Sequence, residues 1–83
     1  MDVEQQIAMR LKSRRRLLGL TLQQVGRASG MSYQSIQKYE TGLTRISAAN
    51  LWILAKALQV EPNYFFDGLD CGARSTVRVA AEA

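Results

Sequence analysis

The sequence has no histidine, one proline and one cysteine among its 83 residues, and aromatic residues make up only 7% of them. The lone Cys71 cannot form an internal disulfide and has no partners for a zinc site, which fits a reducing compartment. The carboxylates are scattered, so neither an acid–base pair nor a metal cluster is indicated. The sequence therefore argues against an enzyme and implies no cofactor and no metal.

Long hydrophobic runs are also absent, and the N-terminus lacks a basic segment followed by an apolar one. We therefore expect no transmembrane helix, no secretory signal and a cytoplasmic location. The length corresponds to one domain, and a chain with near 60 ordered residues buries only about 60% of its unfolded surface. Self-association would add to that burial.

Acidic residues are nearly missing from the centre of the chain. The segment 10–56 contains nine basic residues and a single acid, Glu40, which gives it a charge of +8, while both ends are acidic and the net charge is +4. This concentration predicts a partner that is a polyanion. The basic residues are Arg10, Lys12, Arg14, Arg15, Arg16, Arg27, Lys38, Arg45 and Lys56.

Residues 19–42 have the pattern of two short helices joined by a glycine turn. Thr21 and Gln24 form a capping-box sequence for the first helix, and Ser32 is an N-cap for the second. Gly30 between them can adopt the positive φ that ends one helix and turns the chain into the next. The segment therefore predicts a helix-turn-helix.

The second helix of this pair has two distinct faces. At helical spacing one face comprises Met31, Ile36, Tyr39 and Glu40, and the other comprises Tyr33, Gln34, Gln37 and Lys38. We predict that the first face packs and that the second is free to bind. Gly26, in the first helix, indicates either a close approach of two helices or the end of a weak helix.

Three further helices are predicted from apolar spacing and capping residues. In chain order the pair described above is helices 2 and 3. Helix 1 covers residues 3–18, helix 4 begins after Ser47 and ends near Gln59, and a short helix 5 begins at Pro62 and ends near Gly68. The prediction is an all-α domain over residues 1–68. Residues 69–83 are interpreted as a mobile tail, with a short strand at 76–79 in a dimer as the alternative.

Five segments then identify a family resemblance: GLT, GMS, IQKYETG, LAKALQV and YFFDG occur in this order. Over residues 7–68 the chain resembles the Cro/C1-type, or XRE, helix-turn-helix regulators of lambdoid phages and bacteria. The resemblance implies a compact, lambda-repressor-like five-helix bundle. Such a domain binds double-stranded operator DNA as a dimer with helix 3 in the major groove.

The resemblance assigns base contacts to four residues of helix 3, which are Tyr33, Gln34, Gln37 and Lys38. A glutamine amide can pair with adenine in a bidentate way, and a lysine can donate to guanine or phosphate. The alternatives are that the two glutamines are ordinary polar surface and that Tyr33 packs over the start of helix 2.

Further roles follow from the resemblance. It implies a structural ion pair between Arg15 and Glu40. Many family members have glutamine where this chain has Leu22, which puts one phosphate contact of helix 2 in doubt. The remaining candidates for DNA backbone contacts are Arg14, Thr21, Gln23, Ser32, Ser35, Thr44 and Arg45.

A dimer surface is expected at Val60, Pro62 and Tyr64, with Trp52 as a further member, because one short helix recognises only a few base pairs. For Trp52, as for Phe65 and Phe66, packing in the core is the interpretation preferred to a place in the interface. The predicted function is a transcriptional regulator that binds a palindromic operator, most readily a repressor that blocks polymerase; recruitment of polymerase from a site beside the promoter is the alternative that the sequence leaves open. The alternative is an antitoxin or another protein-interaction module whose protein partner binds the tail.

Overall fold

The computed structural model describes residues 2–69, and every secondary-structure element in that range is a helix. It forms four α-helices and one 3₁₀ helix. Their bounds are α1 Val3–Leu17, α2 Leu22–Ser29, α3 Tyr33–Glu40, α4 Ala48–Ala57 and the 3₁₀ helix Pro62–Phe66. Except for Leu69, the predicted tail lies outside the described residues, as do Cys71 and the alternating segment at 76–79.

Each α-helix begins with a side chain that accepts a backbone N–H from the first turn. Thr21, Ser32 and Ser47 cap α2, α3 and α4, as the sequence predicts, and Asp2 caps α1. At Thr21 the capping box is complete, because the Thr21 N–H also donates to Oε1 of Gln24 over 2.8 Å. Each cap joins residues within one turn of the chain, so the local sequence determines where each helix starts.

The turn between α2 and α3 explains the two glycines in this region. Gly30 has φ +75° and ends α2, and the Met31 N–H donates to the Gly26 carbonyl over 2.9 Å. A Cβ atom on Gly26 would lie 2.6 Å from the Met31 carbonyl oxygen. Gly26 is therefore required by a close approach of α2 to the turn, and it does not end the helix.

The prediction of a fifth α-helix is wrong, because the segment Pro62–Phe66 is a 3₁₀ helix. Within the described residues the bundle has four α-helices. The Tyr64 N–H donates to Glu61 and the Asp67 N–H to Tyr64, which is the i to i+3 pattern. Five residues form too few hydrogen bonds to offset the entropy cost of nucleating an α-helix, whereas short segments commonly form 3₁₀ helices. Gln59, with φ +62°, follows α4 and separates it from this segment.

The core lies where all five helical elements meet. The largest fully buried side chains come from every one of them and are Leu11, Val25, Ile36, Leu54, Leu58 and Phe65. Two aromatic residues that were expected in the core are not there, since Trp52 is 53% and Phe66 40% exposed. Trp52 lies off the buried stripe of α4, and its ring lies 4.5 Å from the Lys56 ammonium.

No helix within residues 2–69 is both long enough and apolar enough to cross a membrane.

Candidate nucleic-acid interface

The outward face of α3 carries the four residues predicted to contact bases. Gln34, Gln37 and Lys38 are exposed, and Tyr33 is 41% exposed. In the described part of the chain, the side chains of the two glutamines and the lysine form no hydrogen bond or ion pair. Their amide and ammonium groups are therefore available to an external partner.

The opposite face of α3 fixes the orientation of the helix. Ile36 is fully buried and Tyr39 is 9% exposed, and both belong to the core cluster. The Tyr39 hydroxyl accepts a hydrogen bond from Nδ2 of Asn50 in α4 over 3.1 Å. Because α3 is anchored along one side, its polar side is held toward solvent.

The helix N-termini beside α3 hold four of the predicted backbone contacts. Gln23 is exposed at the start of α2, where Thr21 is the cap. Ser32 caps α3, and its Oγ lies 2.9 Å from Oγ of Ser35, so these two hydroxyls already have partners within the protein. The backbone N–H groups at such helix starts are oriented to bind phosphate.

Leu22, the departure from the family pattern, is partly buried and packs against the core.

The loop after α3 exposes Thr44 and Arg45, as the prediction for phosphate contacts requires. Nε of Arg45 lies 3.1 Å from Oε2 of Glu4, in the first turn of α1. Arg45 therefore has a carboxylate partner that the sequence analysis did not foresee.

Arg14 is placed differently from the other candidates for phosphate contacts. Its Nε donates to the Leu58 carbonyl over 2.9 Å and its Nη2 to the Gln59 carbonyl over 3.3 Å. These carbonyls end α4, where a cation is favoured by the helix dipole. The structure thus gives Arg14 a role inside the protein and does not bring it together with the α3 face.

Two more polar residues of α1 have the same kind of partner. Arg10 donates to the Tyr64 and Asp67 carbonyls over 2.8 and 2.6 Å, and Gln6 donates to the Phe65 and Asp67 carbonyls. Gln6, Arg10 and Arg14 are spaced by four residues, so they form one polar ridge along α1. This ridge was not predicted from the sequence, although the spacing of four between these residues, beside the apolar stripe of α1, indicates a shared polar face.

Arg15 and Glu40 form the ion pair that the family resemblance implies. Nε and Nη2 of Arg15 lie 2.6 and 2.9 Å from the two carboxylate oxygens of Glu40, and only 13% and 5% of the two side chains is exposed. Nη1 of Arg15 also donates to the Leu20 carbonyl. The hydrogen bond that Arg15 donates to Glu40 raises the pKa of the Arg15 guanidinium, although burial opposes this. The pair joins α1 to the end of α3.

The positive charge of the centre is therefore divided between two uses. Arg10, Arg14 and Arg15 bind acceptors within the protein, and Arg45 and Lys56 contact Glu4 and Trp52. Within residues 2–69, the side chains of the other four basic residues form no hydrogen bond or ion pair. These residues are Lys12, Arg16, Arg27 and Lys38.

Three of the four residues predicted for a dimer surface, Trp52, Val60 and Pro62, border one groove. Its volume is about 320 Å³, and its walls are Trp52, Lys56, Gln59, Val60, Glu61 and Pro62. Tyr64 is not among them: it is partly buried, and its ring lies edge-on to Phe65 and beneath the Arg10 guanidinium. No three acidic, cysteine or histidine side chains are grouped as metal ligands anywhere in the part of the chain that the structure describes.

Comparison with known proteins agrees with this geometry. A helix-turn-helix family model matches residues 11–65. The chain is 44% identical over 70 residues to an uncharacterized transcriptional regulator in the ATPase CF(0) region of Rhodospirillum rubrum, covering 84% of this chain and 65% of that protein. It is 37% identical over 79 residues to the uncharacterized HTH-type transcriptional regulator y4wC of Sinorhizobium fredii, covering 95% of this chain and 55% of that one. The chain thus spans between half and two thirds of the length of these relatives.

Among solved structures, the fold is similar to that of the P22 c2 repressor protein in complex with synthetic operator 9T. The TM-score is 0.69 and the identity 32%, over 75% of this chain and 94% of the repressor chain. These matches confirm the predicted family and the all-helical repressor-like fold, and they agree with the prediction that the chain is not an enzyme. The chain belongs to the helix-turn-helix family of DNA-binding transcriptional regulators, of the XRE or Cro/C1 type.

Proposed function

We propose that this protein represses transcription by binding a palindromic operator as a homodimer, with α3 in the major groove. The observation that carries the proposal is the exposed face of α3, where Gln34, Gln37 and Lys38 have no partner in the described residues while Ile36 and Tyr39 anchor the other side. An anchored helix with free amides meets the geometric need of direct readout.

The chemistry of that face indicates which base pairs it prefers. Each glutamine amide offers a donor and an acceptor in one plane, which matches N6 and N7 of adenine. Lys38 adds a flexible cation that suits guanine O6 and N7 or a phosphate. We therefore expect an operator whose half-site contains adenine at positions facing α3, with Tyr33 at the edge of the contact.

Backbone contacts would come from the elements that flank α3. Thr21 and Gln23 lie at the N-terminus of α2, Ser32 and Ser35 at that of α3, and Thr44 and Arg45 in the following loop. Such contacts set register and affinity and carry no direct sequence information. Arg14 is left out of this set because its guanidinium binds the end of α4.

Two-fold association would place two α3 helices about one turn of DNA apart. The groove beside Trp52, Val60 and Pro62 supports this part of the proposal, because a half-exposed tryptophan at a groove is a typical interface anchor. Lys56 and Glu61 also border the groove, so a two-fold axis through it can pair each with its opposite charge on the partner copy.

Repression follows from occupancy, since a dimer bound across a promoter excludes polymerase. The cytoplasmic location predicted from the sequence belongs to this proposal as well, because the regulated DNA lies there in bacteria.

The test is selection of binding sites from random duplex DNA near physiological salt, with wild type, a Gln34→Ala/Gln37→Ala variant and a Gln23→Ala variant. Wild type should enrich a palindromic motif that the double variant loses or relaxes. Gln23→Ala is the matched control, because it removes an exposed glutamine from a helix start: it should weaken binding and leave the motif unchanged.

Three results would contradict parts of the proposal. A motif without two-fold symmetry would refute the homodimer, and an unaltered motif in the double variant would refute readout by the two glutamines. Failure of the wild-type protein to bind duplex DNA at any salt concentration would refute the function and favour the protein-interaction module.

A further inference from the structure

Arg45 is the most exposed charged group beside α3 that has an ionic partner. The Arg45 side chain is 84% accessible, and the Glu4 side chain is 55% accessible. Nε of Arg45 lies 3.1 Å from Oε2 of Glu4. The two residues are far apart in the sequence, since Glu4 is in the first turn of α1 and Arg45 follows α3. The pair therefore joins the start of α1 to the loop that faces the proposed DNA site.

The surroundings hold Glu4 in place for this contact. Asp2 and Gln5 form a capping box around the first turn of α1, and an acid in a first turn is favoured by the helix dipole. Glu4 and Arg45 both border a small cavity of about 130 Å³ whose walls include Ile7, Tyr39 and Ile46. Glu4 thus stands on a capped helical turn next to the loop.

Glu4 and a DNA phosphate are both anions that an arginine binds through its N–H groups. Glu4 contacts Nε of Arg45, and a phosphate brought to the remaining donors would also approach the negative charge of Glu4. Binding of DNA through Arg45 must therefore break the pair or bring two anions close together. Either event costs part of the free energy that the contact supplies.

We propose that Glu4 competes with DNA phosphate for Arg45 and so lowers the affinity of this domain for DNA. The inference rests on the proposed function, because it assumes that the loop after α3 meets the DNA backbone. It goes beyond that function by assigning a role to a residue of α1 that faces no base and carries the same charge as the ligand. In this role Glu4 is a positioning residue that controls where the Arg45 side chain points.

The size and sign of the effect follow from the exposure of the pair. An exposed ion pair is weak, so Glu4→Gln should tighten binding to DNA by about two- to fivefold. In the Glu4→Gln variant, Arg45 releases a small counterion when it binds phosphate, whereas in the wild type it releases the Glu4 carboxylate. The slope of log K against log salt concentration should therefore become steeper in the variant, by up to about 0.9.

The experiment measures binding to a pool of random-sequence duplexes, since phosphate contacts do not depend on sequence. Affinity is followed by fluorescence anisotropy between about 50 and 200 mM salt, where the phosphate term changes strongly. The variants are Glu4→Gln, Arg45→Gln and both together. Melting temperatures of all variants establish that each is folded.

Asp67→Asn is the matched control for net charge. Asp67 is exposed at the end of the 3₁₀ helix, and in the described residues its carboxylate has no hydrogen bond or ion pair, while its backbone carbonyl, which Gln6 and Arg10 contact, is unchanged by the substitution. A gain caused by overall charge would appear equally in Asp67→Asn. A gain caused by release of Arg45 would appear only in Glu4→Gln, and it would vanish in the Arg45→Gln background.

The outcomes separate this inference from the proposed function. Tighter and more salt-dependent binding by Glu4→Gln alone supports competition. Equal affinities of Glu4→Gln and wild type, equal gains in Glu4→Gln and Asp67→Asn, or a gain that persists without Arg45 would each overturn the inference while DNA binding stands. Absence of DNA binding by the wild-type protein would overturn the proposed function and the inference with it.

Discussion

Helices α1 and α3 carry similar polar side chains but use them in opposite ways. In α1, Gln6, Arg10 and Arg14 donate to backbone carbonyls of residues 58–67, and Arg15 binds Glu40. In α3, Gln34, Gln37 and Lys38 have no such acceptor among the described residues.

The difference shows that positive charge does not by itself mark a binding surface. What matters is whether the surrounding fold offers acceptors. The α1 side chains face a segment that leaves several carbonyls without helical partners, where α4 ends and the short 3₁₀ helix follows. The outward side of α3 faces no other element of residues 2–69, so its donors stay available to an external partner. We expect substitutions in α1 to change stability and substitutions in α3 to change DNA binding.

The largest effect should come from removing the acid that pairs with α1. Glu40→Ala leaves the nearly buried Arg15 guanidinium without its carboxylate, and loss of one partner of such a pair costs about 3 kcal/mol. Because 1 kcal/mol corresponds to about 4–8 °C in a domain of this size, the melting temperature should fall by more than about 10 °C. Calorimetry or thermal circular dichroism measures it.

Asp67→Ala is the control for this prediction, since Asp67 is an exposed acid whose carboxylate has no hydrogen bond or ion pair in residues 2–69. It should shift stability by no more than about 0.5 kcal/mol. An unchanged melting temperature in Glu40→Ala would show that the Arg15 pair does not hold α1 to α3.

A smaller loss is expected from the polar ridge of α1. Arg10→Ala removes two hydrogen bonds, to the Tyr64 and Asp67 carbonyls, and the cation over the Tyr64 ring. Because these groups are partly exposed, water can replace some of the contacts, and we expect the free energy of unfolding to fall by about 1–2 kcal/mol. Urea denaturation gives this value.

Arg16→Ala tests whether the loss is specific to the ridge. Arg16 is exposed on the same helix, and within the described range its side chain has neither an ion pair nor a hydrogen bond. Equal losses in the two variants would mean that helix propensity or overall charge explains the effect, and that the contacts with residues 64–67 contribute nothing measurable.

The smallest effect on stability, and the clearest effect on binding, should come from α3. Lys38→Ala removes an exposed cation without a protein partner, so stability should stay within about 0.5 kcal/mol of wild type. If Lys38 meets phosphate, the salt dependence of DNA binding should weaken by about one contact; if it meets guanine, the selected motif should change at one position. A variant that loses stability and binds DNA normally would reverse the comparison between α1 and α3.

Much of this molecule could be predicted from local sequence. The N-caps at Thr21, Ser32 and Ser47, the turn at Gly30 and the packed face of α3 are all present as expected. The pattern of exposed polar residues on α3 followed from helical spacing alone. These features depend on groups within a few residues of one another, so a reader of the sequence has everything that decides them.

Other features were decided only when the helices came together. Whether Trp52 entered the core depended on the space left around α4, and the structure leaves it 53% exposed. Gly26 had two explanations in sequence, and only the carbonyl of Met31 at 2.6 Å from a built Cβ distinguishes them.

The sequence by itself determined the family, the presence of α1–α4 within a predicted set of five helices, three of their four caps and the face that α3 presents to solvent. The tertiary structure alone decided the partners of the charges, assigning Arg10 and Arg14 to carbonyls of residues 58–67 and Arg45 to Glu4. The physical reason is the range of the forces involved. Caps and helical faces arise from neighbours along the chain, whereas an arginine has a long side chain with five donors, and its acceptor is whichever group the packed helices bring within reach.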